Sequence, residues 1–281
     1  MDIVRRVFPM RETCRQVRGT QRRIGFVPTM GALHDGHLEL VRRVRELSDT
    51  VVVSVFVNPT QFGPNEDLER DPQDLARDAD LLIRERVDYL FAPERDDMYP
   101  VGPATEVEVS ELSTRLEGAS RPGHFRGVAT VVLKLFEIVR PHVAAFGQKD
   151  AQQVAVVRRM VRDLMLDVEI LVVPTVRDAD GVALSSRNAY LSSDERRSAR
   201  ALPRALDAVR EAYASGMRDP EALRRTGRAV LEAEPLLRID YFEIVDRDDF
   251  TPAVEASDRD LAVTAVYAGA TRLLDNAPLG G

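Results

Sequence analysis

The run VVVSVFV, Val51 to Val57, holds five valines and a phenylalanine around a single serine. β-Branched side chains lose freedom in a helix and pack well on a pleated strand. A run without polar alternation predicts a strand covered on both faces, as in the middle of a parallel sheet. Upstream, Leu40, Val41, Val44 and Leu47 share one face of a helix starting near Leu38. Before that helix, Ile24, Phe26 and Val27 form a short apolar run ending at Pro28. Downstream, Leu75, Ala79, Leu82 and Ile83 repeat with helical period from Pro72 to Arg86. Tyr89 to Ala92 and Thr105 to Val109 read as short strands, and Gly118 to Gly123 as a surface loop. Gly127 to Val139 reads as a buried helix stopped by Pro141, followed by a strand at Val143 to Phe146. A helix at Gln152 to Leu164 and a strand at Val168 to Val173 complete the series. Strands alternating with helices over some 150 residues mean parallel βαβ units.

After Pro174 the pattern changes. Ser192 and Glu195 have capping-box spacing ahead of an Ala- and Arg-rich helix reaching Ser215. Asp219-Pro220 opens another helix, which ends before Pro235, and Ile239 to Val245 and Leu261 to Tyr267 read as strands. The expected fold class is α/β: a Rossmann-like parallel sheet with helices on both faces over residues 1–175. A smaller C-terminal α+β domain, 176–281, is expected to act as a lid.

Composition narrows the function. The chain has 281 residues, enough for a large core without staples, and its one cysteine, Cys14, excludes an internal disulfide. No run approaches 18 apolar residues, and MDIVRRVFPM lacks the apolar core of a secretion signal, so a cytoplasmic location is expected and no membrane association. A net charge of −7 argues against nucleic acid as a partner. Lys134 and Lys149 are the only lysines among 39 basic residues, which makes a lysine inside a motif conspicuous.

The sharpest motif is PTMGALHDGH, Pro28 to His37, between the first strand and its helix. In a parallel sheet, ligands bind beyond the carboxyl ends of the strands, where a helix N-terminus offers N–H groups and partial positive charge to phosphate. His34 and His37 lie about one turn apart and reach the same ligand edge. Taken alone, the pair also fits a zinc site, or an N-cap beside a buried histidine. No Cys or Glu stands nearby to complete a metal set. NPTQF (Asn58 to Phe62) and GQKDAQQ (Gly147 to Gln153) each follow a strand. Asn58 and Gln61 present amides at the sheet edge, and Lys149 a compact charge for phosphate. SSRN, Ser185 to Asn188, offers two hydroxyls and a guanidinium in a loop that would clamp phosphates on closure.

His34-Asp35-Gly36-His37 resembles the HxGH signature of the nucleotidyltransferase superfamily that includes class I aminoacyl-tRNA synthetases. The longer PTMGALHDGH resembles, within it, the pantothenate synthetase (pantoate–β-alanine ligase) family. NPTQF, HFRGVATVVLKLF (His124 to Phe136), GQKDAQQ and SSRN follow in that family's order, so the resemblance runs from Pro28 to the tail. It implies ATP-dependent condensation of (R)-pantoate with β-alanine through a pantoyl adenylate, giving pantothenate, AMP and diphosphate. By the resemblance, Met30, Gly31, Ala32, Leu33, His34, Asp35, Gly36 and His37 bind ATP, with His37 in the position given the acid role. Gly147, Gln148, Lys149, Asp150, Val176, Leu184, Ser185, Ser186 and Arg187 complete the ATP site. Gln61 and Gln153 bind pantoate and Gln61 also meets β-alanine; the Asn58 amide, read at the same sheet edge, is expected to join them on pantoate or β-alanine. Leu184 stands where members commonly have methionine, a swap that keeps volume and apolarity.

The acid substrate is itself the nucleophile, so the chain needs none. Charge stabilisation is then shared among His34, His37, Lys149, Ser185, Ser186 and Arg187. Mg²⁺ is expected on the phosphates, and Asp78 reads either as its contact or as a solvated helix-face carboxylate. A homodimer is implied. Two rivals stay open at this point: another HxGH-family nucleotidyltransferase making a stable nucleotidyl product, and a nucleotide-sensing module without catalysis.

Overall fold

The computed structural model describes residues 1–63 and 74–280. Contacts divide the chain into two compact units, Met1–Gly147 with Val156–Val173, and Gln148–Ala155 with Pro174–Gly281.

The first unit runs β1 (Asp2–Val4), α1 (Val7–Gly19), β2 (Ile24–Thr29), α2 (Asp35–Arg45), β3 (Thr50–Val55), α3 (Leu75–Arg84), β4 (Tyr89–Phe91) and α4 (Arg95–Met98). It continues through α5 (Glu117–Ser120), α6 (His124–Val139), β5 (Val143–Gly147), the later part of α7 (Ala151–Asp163) and β6 (Glu169–Val173). Its six strands are all parallel, in the order β1-β4-β3-β2-β5-β6. β3 is Thr50 followed by VVVSVFV less its last two residues, and only Val55 within it is not buried. One face of the sheet packs Val27, Val51, Val53, Leu90 and Val143 against Leu38, Val41 and Val44 of α2 and Leu82 of α3. On the other face Phe26 meets Phe136 of α6 edge to face, with ring centroids 6.4 Å apart. Helices therefore cover both faces, as the unbroken apolar strands require.

The strand order sets the position of the site. From β2 the chain builds outward through β3 and β4, then returns to lay β5 on the opposite side of β2. A crevice opens at the carboxyl end of the strand where the order reverses. PTMGALHDGH leaves the sheet there.

The second unit holds α8 (Ser193–Ala199), α9 (Ala201–Ala214) and α10 (Pro220–Glu232) over an antiparallel sheet of β7 (Leu237–Asp246), β8 (Asp260–Ala268) and β9 (Thr271–Pro278). Leu202, Leu206 and Val209 of α9 share its core with Leu223 and Leu231 of α10 and Phe242, Val266 and Leu273 of the strands.

Several expectations need correction. Thr105–Val109 is not a strand; Val107 donates its N–H to the Thr130 hydroxyl at 2.9 Å rather than to a neighbouring strand. The loop expected at Gly118–Gly123 contains the last turn of α5, and Gly118 is buried. The helix expected to reach Ser215 unbroken stops at Ala199 and restarts at Ala201. Pro203 has no N–H to give the Ala199 carbonyl, and its ring crowds that carbonyl. β1, α1 and β9 had no sequence counterpart. The helix start expected at Pro72 lies outside the described residues.

Candidate active site

β2 delivers the chain to Thr29, whose hydroxyl donates to the Ser54 carbonyl at 2.7 Å and ties the strand end to β3. The backbone then turns through Gly31 at φ +93° and Ala32 at φ +50°. A side chain at Gly31 would meet Asp78 Oδ2 at 3.2 Å in a conformation that L residues rarely adopt. The Leu33 peptide is held by α3: its N–H donates to Asp78 Oδ1 at 2.9 Å, and its carbonyl accepts from the Arg77 guanidinium at 3.2 Å.

His34 is then the N-cap of α2 and His37 the third residue of its first turn. His34 Nδ1 accepts the Gly36 N–H at 3.2 Å, while His37 Nδ1 accepts the His34 N–H at 3.3 Å. The pair is a capping box written in imidazole, which accounts for its spacing. An Nδ1 that accepts leaves the ring proton on Nε2, so in each neutral ring Nε2 is the donor. With centroids 4.1 Å apart, the two rings stand side by side at a helix N-terminus. That arrangement is suited to oxygens that gain negative charge. The N-cap reading of the pair is thus borne out: each ring uses its Nδ1 to cap the start of α2.

Asp78, expected as a magnesium contact or a solvated carboxylate, is 1% exposed. Its bond to Leu33 makes it the brace of the histidine loop. Among the described residues no group of three His, Cys, Asp or Glu side chains is placed to hold a metal.

Asn58, expected to touch substrate, is 1% exposed and fully engaged. Both amide protons are used, on Gln61 Oε1 at 3.0 Å and the Gly127 carbonyl at 3.1 Å. Its oxygen accepts from the Thr60 hydroxyl at 3.0 Å and the Tyr99 hydroxyl at 2.8 Å. Burial is the main cause that pushes the Tyr99 phenol up, which keeps it a donor. Asn58 therefore holds the Gln61 side chain. Gln61 lies on a short turn, Pro59–Gln61, with Nε2 3.1 Å from Met30 Sδ. The NPTQF turn and the histidine loop are thus adjacent.

In the second unit, Gln148 and Asn276 pair through their amides at 2.8 Å, and Asn276 Nδ2 also donates to the Gln148 and Lys149 carbonyls, each at 2.9 Å. These bonds fix the turn that carries Lys149, whose ammonium lies 3.4 Å from Asp150. Gln153 follows, half-buried, in the first turn of α7. Leu184 donates its N–H to the Val176 carbonyl at 2.9 Å, and Ser185 caps the turn Ser186–Tyr190 by accepting the Arg187 N–H. Ser186 and Arg187 are exposed. Lys149, Ser185, Arg187, Arg272 and Asp275 line one small pocket within this unit.

Of the expected residues, the first unit carries Met30 to His37, Asn58, Gln61, Asp78 and Gly147. The second carries Gln148 to Asp150, Gln153, Val176 and Leu184 to Arg187. Sequence reasoning missed Asn276, Asp275 and Arg272, which belong to β9, and Tyr99, Arg121 and His124 around Gln61. Asp275-Asn276, a polar pair inside an apolar stretch, was the available signal. Cys14 is 2% exposed and burial pushes its thiol to about 12, so it offers no nucleophile. Among the described residues no helix is long and apolar enough to cross a membrane.

A parallel sheet whose order reverses at a helix N-terminus carrying two imidazoles defines a nucleotide-binding α/β protein of the HxGH class. A sequence profile of the pantoate-beta-alanine ligase family matches residues 2–278, and the chain belongs to that family. It is 54% identical to the pantothenate synthetase of Roseiflexus sp. (strain RS-1), over 99% of each chain. It is similar to the crystal structure of pantothenate synthetase from Thermus thermophilus, with a TM-score of 0.94 and 48% identity over 100% of both chains. It also resembles the pantoate-beta-alanine ligase of Francisella tularensis complexed with beta-gamma ATP and beta-alanine, with a TM-score of 0.80 and 35% identity. That match covers 99% of this chain and 98% of the other.

Proposed function

We propose that the ligation of pantoate to β-alanine, the reaction of its family, runs in this chain through an adenylate. The pantoate carboxylate attacks the α-phosphorus of ATP, a P–O bond forms, and the bond to diphosphate breaks. The β-alanine amine then attacks the acyl carbon, AMP leaves with the bonding pair, and the amine gives up a proton. No protein nucleophile is required, in keeping with the buried, protonated Cys14.

The observation that carries the reading is the imidazole capping box, which sets two histidine rings side by side at the helix N-terminus where the strand order reverses. In this reading His34 and His37 stabilise charge on the α-phosphate and the leaving oxygens, with His37 in the acid role. Backbone from Met30 to Gly36 cradles ATP. Gln61 orients the pantoate hydroxyl and carboxylate, together with Gln153, and meets β-alanine. Lys149, Ser185, Ser186 and Arg187 contact phosphate oxygens, and Gly147, Gln148, Asp150, Val176 and Leu184 shape the remaining ATP contacts. Magnesium enters as part of the ATP substrate, consistent with its reluctance to shed water. The enzyme works in the cytoplasm as a homodimer in this reading.

The test follows AMP and diphosphate with ATP, Mg²⁺ and pantoate, with and without β-alanine. Multiple-turnover AMP release that needs both acids is the expected result; a stable nucleotidyl product formed without the amine would reject it. Lys149→Ala should lower adenylate formation at least about a hundredfold, in line with the loss of one preorganised charge contact. Its melting temperature should change little, since the ion pair of Lys149 is a long one, 3.4 Å to a carboxylate that is half exposed. Near-normal turnover would remove Lys149 from the site.

A further inference from the structure

The motif HFRG, His124 to Gly127, supplies the first turn of α6, and the reaction as described gives it no task. It lies against the turn carrying Gln61. His124 Nδ1 is 2.8 Å from the Gln61 carbonyl oxygen, and a carbonyl only accepts, so Nδ1 carries the proton. Arg121 Nη1 is 3.1 Å from His124 Nε2, and a guanidinium only donates, so Nε2 accepts. The two neighbours fix the neutral Nδ1–H tautomer, the reverse of that at His34 and His37. Arg121 Nη2 reaches the same Gln61 carbonyl at 3.5 Å. One helical turn on, a Cβ at Gly127 would meet the Thr60 carbonyl oxygen at 2.5 Å and the Gln61 nitrogen at 2.7 Å, so only glycine lets the two backbones approach. The Gly127 carbonyl in turn accepts a hydrogen bond from the Asn58 amide, which holds the Gln61 side chain.

We propose that His124, oriented by Arg121, is a positioning residue for substrate recognition: it clamps the Gln61 peptide so that the Gln61 amide meets pantoate in one orientation. The proposal rests on the reading of Gln61 as the pantoate-binding amide. His124 touches no reacting atom. Its contribution is that a clamped backbone leaves the amide no freedom to lose on binding. The clamp also forms part of the wall of a cavity of about 570 Å³ lined by Thr60, Gln61, Tyr99, Glu106 and Arg126. The space is ample for a molecule of imidazole.

The experiment compares KM for pantoate, KM for ATP and kcat in four variants of the full chain. Asparagine places an N–H where Nδ1 stands and glutamine places one near Nε2, so His124→Asn keeps the clamp and His124→Gln does not. His124→Ala and His124→Gln should raise KM for pantoate by about tenfold to a hundredfold and leave KM for ATP within about twofold. His124→Asn should stay within about threefold of the parent, and added imidazole should recover part of the loss in His124→Ala. Equal KM values for pantoate in the Asn and Gln variants, or equal rises for both substrates, would overturn the clamp, and that pair decides the matter if the alanine variant fails to fold. Gln61→Ala is the control. An unchanged KM for pantoate there rejects the reading of Gln61; a raised one with normal His124→Gln rejects the clamp alone.

Discussion

At the scale of single residues, His34 and His37 cap α2 through Nδ1, and the proposed function gives the same rings a second task on phosphate. An alanine at either position removes a cap and a candidate phosphate donor together, so its kinetic effect mixes the two. His37→Asn separates them, because the asparagine oxygen sits near the place of Nδ1 and accepts the His34 N–H while nothing replaces Nε2. Adenylate formation should fall by about a hundredfold or more in His37→Asn, with unfolding unchanged. His37→Ala should lose the same activity and also about 1 kcal/mol of stability, the usual cost of a missing cap. Equal urea midpoints for the two variants would show that the capping bond contributes nothing. This pair was legible in the sequence because both residues, their spacing and their strand-to-helix context fall within ten consecutive positions. The grip on Gln61 was not legible. Its partners His124 and Arg121 lie 63 and 60 positions away, and nothing local in HFRG distinguishes a clamp from an ordinary helix start.

Among elements, the histidine loop depends on a helix that arrives 45 positions later in the chain. α3 holds both polar groups of the Leu33 peptide, through Asp78 and Arg77. Asp78→Ala would leave a buried N–H without an acceptor, which costs about 1–3 kcal/mol. Asp78→Asn keeps an oxygen in place and should cost less. Urea unfolding should rank the parent, Asn and Ala variants in that order, and an Ala midpoint equal to the Asn one would count against the brace. The βαβ series was readable because apolar period separates strand from helix over whole elements. Errors arose where period had no support from neighbours. Thr105–Val109 alternates like a strand yet finds no strand beside it, and a single imino acid at Pro203 splits an otherwise continuous helical pattern. β1 is three residues long and mostly exposed, too short for any period to register. In β9, Asp275 and Asn276 interrupt the apolar run because they bind Arg177 and the Gln148 turn.

For the molecule as a whole, stability should depend on pH through His142, whose Nδ1 accepts the Ile24 N–H at 2.9 Å at the start of β2. Burial first, and then the charges of Arg18 and Arg23, hold its pKa below the ordinary 6.5. A histidine depressed in the folded state binds its proton more readily when unfolded. Its contribution is therefore complete above pH 6.5 and is lost as the pH falls from there through the folded value. Melting temperatures between pH 8 and pH 5 should decline below about 6.5. In His142→Asn, which keeps an acceptor that does not titrate, that part of the decline should vanish. Identical curves for the two proteins would reject the assignment. Asn276 carries a different consequence, one of timing. The turn that presents Lys149 is held by an amide made 127 positions later, on the last strand of its sheet. Once β5 has left the ribosome, β2, α2 and the histidine loop have the partners described above: β3, β5, Asp78 and His142. The lysine turn has to wait for translation to pass residue 276. A message cut short before that codon would yield a chain with the partners of its histidine loop in place and an unpinned lysine turn, so under the proposed role of Lys149 unfinished copies would lack ligase activity.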